Sequence, residues 1–164
     1  MLEPHLKHYR DYLMLVGDIA THYASFEHAI NESIWILAGV DERIGGCITA
    51  ELISHAPKFR ILIALMYERK VDKLHIDSAK KLSKDAIPIS QYRNKYIHSP
   101  MGLGIKNDEL IPMITHSRNN ETFESATVPY DIAEMLKRSE KVQKLKNDAT
   151  NLKRSIFYDL ELNR

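Results

Sequence analysis

Cysteine is all but missing from this chain. Cys47 is the only one in 164 residues, which excludes an internal disulfide and a cysteine-rich zinc site. No catalytic-histidine pattern surrounds it, so it reads as a small buried apolar residue. Long apolar runs are missing too: IWILAGV (34–40) and ILIALMY (61–67) are the longest, far short of a bilayer's width. The opening MLEPHLKHYRDY lacks the basic-then-apolar build of a secretory signal, so none is expected and the expected location is cytoplasmic, without a membrane partner. No sign of charge dominates. With 23 basic and 22 acidic side chains the net charge is +1, which argues against coating nucleic acid by bulk charge and leaves room for a local basic patch. A glycine-rich phosphate loop is absent, because Gly45-Gly46 lacks the Lys-Ser/Thr ending of a P-loop. His5 and His8 stand one turn apart, but a metal site needs three or four converging ligands, so neither a metal nor another cofactor is expected.

What is present is ordinary globular material, 44% apolar and 27% charged, enough for a single domain over 1–164 with its own core. Over 5–38, Leu13, Val16, Ala20, Tyr23, Ile30, Ile34 and Leu37 fall on one stripe of an amphipathic helix. Gly39 should stop it, DERIGG (41–46) should be a turn, and a short helix is expected over 47–55. Pro57 opens the next helix, with Phe59, Leu62, Ile63 and Met66 inward. Asp77 or Ser78 caps a fourth that runs to about His98, kinked at Pro88 and ended by Pro100. Residues 101–128 change character. MGLGI, LIPMITHS and ETFESATV, separated by KNDE and RNN, read as a small β-hairpin or three-stranded meander. Pro112 argues for a short or bulged element there. Pro129 and Asp131 reopen a helix to about 160, with Ile132, Met135, Leu136, Val142, Leu145, Leu152, Ile156 and Leu160 along it. The expected fold is mainly all-α, a helical bundle with a small β insertion before its last long helix.

Charge is uneven on this layout. Residues 69–98 carry eight basic side chains against three acidic ones, among them Lys80, Lys84 and Lys95. Such a run is either a solvated helix face or a surface that attracts phosphate. Two charges also fall inside apolar stripes: Glu27 between Tyr23 and Ile30, and Arg93 among Leu82, Ala86, Ile89 and Ile97. An unpaired buried charge costs several kcal/mol, so each needs a partner or a cleft, and pairing with each other is the simplest solution. Tyr92 and Tyr96 share a face of the same helix as packing residues, with stacking on an RNA base as the alternative for Tyr96. Asn94 and His98 also share a face, whereas Arg93 and His98 stand roughly 140° apart on an ideal helix. Those two converge only if the helix frays before Pro100 or a second subunit completes the site.

The stretch Arg93-Asn94-Lys95-Tyr96-Ile97-His98 resembles the R-x4-6-H signature, with Asn after the Arg, of the HEPN superfamily of nucleotide-binding domains. A long first helix with an acidic residue in its stripe, a short helical pair, a helix that ends on the signature, and a β segment before a final helix are similar to that family's bundle. The resemblance implies a metal-independent endoribonuclease of the toxin or antiviral-defence kind, a homodimer in which Arg93 and His98 of two subunits line one cleft. It implies Arg93, Asn94 and His98 as catalytic residues, with Glu27 and Tyr96 in support. An antitoxin or a larger defence complex is the implied protein partner. The chemistry fits the residue types. RNA brings its own nucleophile, histidine titrates near neutral pH, and arginine holds a phosphate by two parallel hydrogen bonds. One toxin group of that family carries R-x4-H-x-Y; here Ser99 and Pro100 follow His98, so its tyrosine modification is not expected. Two other readings stay open: a non-catalytic module that binds nucleotide or RNA, and a helical interaction domain in which Glu27 and Arg93 only bridge helices.

Overall fold

A computed structural model describes residues 4–106, 109–120, 122–129 and 131–162. Helix α1 (Pro4–Ala38) is followed by α2 (Glu42–Ala50), α3 (His55–Glu68) and α4 (Lys73–Ile97). Three strands come next, β1 (Met101–Lys106), β2 (Glu109–Asn120) and β3 (Thr122–Pro129), and α5 (Ile132–Leu162) closes the chain. This is the mainly-α bundle with a β insertion that the periodicity predicts. Among the described residues no helix is long and apolar enough to cross a membrane.

Local signals fix several boundaries. Gly39 takes φ 71°, and the Gly39 and Val40 N–H groups donate to the carbonyls of Ile36 and Trp35, a Schellman ending that only a residue without Cβ adopts cheaply. The predicted turn at DERIGG is instead helix α2. Asp41 caps it, its Oδ1 accepting from the Ile44 N–H at 2.9 Å. Its glycine has a packing reason: a Cβ on Gly45 would stand 2.3 Å from the Trp35 ring, so glycine lets α2 lie against α1. Helix α4 starts earlier than Asp77 or Ser78. Asp72 caps it, accepting from the Leu74 N–H at 2.7 Å, and the added turn brings Ile76 and Ala79 into the core.

The core stripe of α1 runs through Tyr12, Leu15, Ile19, Tyr23, Phe26, Ile30, Ile34 and Leu37. Toward the N-terminus this is rotated from the predicted stripe. Leu13 is 49% exposed, and Phe26, not Glu27, fills the slot between Tyr23 and Ile30. Phe26 stacks on Phe59 of α3, ring centroids 6.2 Å apart. Helix α4 buries Leu82, Ala86, Ile89, Tyr92 and Tyr96, which leaves Arg93 beside the stripe. Helix α5 buries Met135, Val142, Leu145, Ala149, Leu152 and Ile156, while Leu136 is exposed. Cys47, expected inside, is exposed on α2.

The sheet is an antiparallel meander in the order β1-β2-β3. Contrary to expectation its central strand is long, with Pro112 inside it. The register explains the tolerance: Pro112 pairs with Leu103 of β1, but the β3 ladder begins only at Met113, opposite Pro129. Among the described residues Pro112 stands one position outside the β2–β3 ladder, where a missing N–H removes none of its pairs. Cross-strand partners share a face. Met101, Ile114 and Val128 lie on one face, with Ile114 buried, while Thr115 and Thr127 lie on the other, their hydroxyl oxygens 2.9 Å apart.

Truncations should separate the two phases of the α1 stripe. Phe26→Ala is expected to cost about 3–5 kcal/mol in denaturant unfolding, the range for a buried aromatic. Leu13→Ala should cost within about 1 kcal/mol, since its side chain is half in solvent.

Candidate functional site

Helix α4 carries the signature residues at its C-terminal end, and the helix persists to that end. The His98 N–H donates to the Asn94 carbonyl at 3.1 Å, so no fraying bends His98 back toward Arg93. Pro88 is accommodated within the helix at an exposed position.

Asn94, Lys95 and His98 line a groove of about 1290 Å³ between the end of α4, the first turns of α5 and the sheet. Its far wall brings Glu134, Arg138 and Lys141 from α5 and Thr115 and Ser125 from the hydroxyl-bearing side of the sheet. His98 is exposed at this groove. Arg138 is the most constrained member. Its Nε and Nη2 both donate to Glu134 Oε1 at 2.7 Å. Its guanidinium carbon stands 4.7 Å from the Tyr92 ring centroid and 5.8 Å from that of Tyr96, and its carbonyl accepts from the Tyr92 hydroxyl at 3.2 Å. Burial pushes the Tyr92 phenol up to about 12, against the lowering effect of Arg138. Tyr92 and Tyr96 are thus packing residues, and Tyr96 supports the groove from beneath through Arg138.

Arg93 does not line this groove. It turns toward α1, its guanidinium carbon 5.4 Å from the Tyr23 ring centroid, and its Nη1 donates to Asn94 Oδ1 at 2.9 Å. Its Nε is buried and has no hydrogen-bond partner among the described residues. Asn94 therefore links the two flanks of α4: it holds Arg93 on one side and lines the groove on the other. The expected Glu27–Arg93 ion pair does not form. Glu27 Oε1 lies 3.6 Å from Nζ of Lys58, a buried lysine of α3. The reason is rotational: with Phe26 in the core, Glu27 faces α3 and not α4. Near Glu27, burial lowers the His55 imidazole, and the carboxylate opposes that shift. Burial, and next the Glu27 charge, raise the Tyr23 phenol to about 12.

Of the other basic candidates, only Lys95 reaches the groove. Lys80 is held elsewhere, donating to the Tyr67 hydroxyl at 2.8 Å with Asp77 at 3.9 Å, and Lys84 is exposed on α4 away from the groove lining. Sequence reading missed Arg138 and Lys141. The only available signal was their position on the first turns of the last helix, and nothing local places those turns opposite His98. The side chains of His5 and His8 lie outside the described residues. Among the described residues no group of three or more His, Cys, Asp or Glu side chains is placed to hold a metal.

No family model, no curated protein and no solved structure matches this chain. What the site can do is therefore argued from its own chemistry.

The two raised phenols give a pH dependence with a definite sign. Unfolded tyrosine loses its proton near pH 10, whereas Tyr23 and Tyr92 keep theirs to about 12. Between those values the unfolded chain binds fewer protons than the folded one, so stability falls as pH rises through that window. Chemical denaturation between pH 9 and 12 should show the decline beginning near pH 10, and Tyr92→Phe should reduce its slope.

Proposed function

We propose that this chain is a metal-independent endoribonuclease of HEPN type, acting as a homodimer in toxin–antitoxin or antiviral defence. The observation that carries the reading is the exposed imidazole of His98 in a groove that also presents Asn94, Lys95 and Lys141. A side chain able to take up and deliver a proton, beside phosphate-attracting cations, is what RNA cleavage requires. In that reaction the 2′-hydroxyl of RNA attacks the neighbouring phosphorus, and the bond to the 5′-oxygen breaks as the new P–O bond forms. The proton leaving the 2′-oxygen must be taken up and one delivered to the 5′-oxygen, which yields a 2′,3′-cyclic phosphate and a 5′-hydroxyl. His98 serves as the proton shuttle. Arg93 stabilises the charge that grows on the non-bridging phosphate oxygens. Asn94 orients Arg93 by accepting from its Nη1.

Because Arg93 and His98 leave α4 on different flanks, the proposal needs a second copy to bring an arginine to each histidine. That same separation favours a second reading, in which a lone subunit binds RNA or nucleotide without cutting it. The third reading, a helical interaction domain, keeps its place without the Glu27–Arg93 bridge, because Glu27 lies against Lys58 instead.

Incubation of purified protein with total cellular RNA in excess EDTA tests the proposal. Wild type should cut and leave cyclic-phosphate and 5′-hydroxyl ends, and His98→Ala should be slower by about a hundredfold or more. RNA binding without cutting by either protein would support the binding module instead. Equal cutting by both would remove His98 from the site.

A further inference from the structure

Arg138 has the stronger constraint and the less obvious purpose. A guanidinium that recognises phosphate usually offers its Nε–Nη2 edge as a fork, and in Arg138 that edge is already spent on Glu134. One face lies on Tyr92. Arg138 nonetheless lines the groove, with its side chain 28% exposed. A flat, cationic plane held rigid by an aromatic ring below and a carboxylate at its edge is poorly suited to gripping phosphate and well suited to carrying a nucleobase. Bases splayed from single-stranded RNA stack on arginine planes as they do on aromatic rings. Lys141 on the same wall and Lys95 on the α4 wall also line the groove, both exposed and without an ion-pair partner among the described residues.

We infer that the groove contains a nucleotide subsite for single-stranded RNA, in which the Arg138 plane carries an unpaired base while Lys95 and Lys141 hold the adjoining phosphates. The inference rests on the RNA reading of the groove and deepens it. It names the substrate as unpaired RNA, because a base locked in a duplex cannot lay its face on Arg138. It also separates two kinds of contact. The lysines act by charge and fade with salt, while the arginine acts by shape and persists.

The test is binding of a fluorescent oligoribonucleotide of a dozen uridines to the full-length protein, measured by anisotropy, with the His98→Ala background used to prevent cutting. A second set of oligonucleotides carries one abasic position, moved along the strand. The protein should bind the intact strand, lose about tenfold in affinity when the base at one position is removed, and bind the same RNA far more weakly when it is annealed into a duplex. Arg138→Lys keeps the charge and removes the plane. It should bind the intact strand about tenfold more weakly and no longer distinguish intact from abasic RNA. Lys141→Ala and Lys95→Ala should keep that discrimination while each lowers the slope of log affinity against log salt by about 0.7. An Arg138→Lys variant that still discriminates overturns the subsite. If that variant does not fold, indifference of the Arg138-containing protein to base removal at every position overturns it equally. Failure of the protein to bind RNA at all would overturn the RNA reading and this inference together.

Discussion

Five buried side chains of α4, Leu82, Ala86, Ile89, Tyr92 and Tyr96, lock the rotation of that helix between its neighbours, and the contents of the groove follow from that rotation. Each residue turns about 100° around the axis. With Tyr92 and Tyr96 inward, Arg93 must emerge on the α1 flank, and Asn94 and His98 must emerge on the α5 flank. A helix turned by a single residue would bury the histidine in one sense and Arg93 in the other. The tyrosines thus serve two ends: they fill the core, and they aim the polar residues between them.

Around this helix the bundle gives each enclosed charge described above a neighbour. Lys58, almost fully enclosed, has Glu27 beside it, and Arg93 lies on the Tyr23 ring with Asn94 as its acceptor. Arg138 sits on Tyr92 with Glu134 as its counter-ion. The two arginines that flank α4 are held alike, each by an aromatic ring and an oxygen acceptor. They differ in their surroundings: Arg93 has a buried Nε with no partner among the described residues, whereas Arg138 lines the groove.

Much of this was legible in the sequence. The order of helices and the β meander between Pro100 and Pro129 follow from period and punctuation, but at the end of α4 Tyr92 and Tyr96 take the inward places that the period gave to Arg93 and Ile97. The phase of α1 did not follow, because Tyr12, Leu13, Leu15 and Val16 offer two overlapping stripes and only the tertiary partners choose between them. That one-residue ambiguity displaced Glu27 onto the wrong neighbour. The first turns of the helix over Glu42–Ala50 were hidden by its paired glycines, of which Gly45 serves the approach to Trp35 and does not mark a turn. At the candidate site the local motif was readable because its members lie within one and a half turns. Arg138 and Lys141, some forty residues later, come to the groove only through the packing of α5 on α4.

The account stands on Arg93 and His98 working together although one subunit holds them apart. Mixing the Arg93→Ala and His98→Ala proteins, after brief dissociation and reassociation, tests this most directly. Each alone should fail to cut RNA, and the mixture should regain cutting as mixed dimers bring an intact arginine to an intact histidine. A mixture as inactive as its components, with subunit exchange verified by a tagged copy, would contradict the shared site.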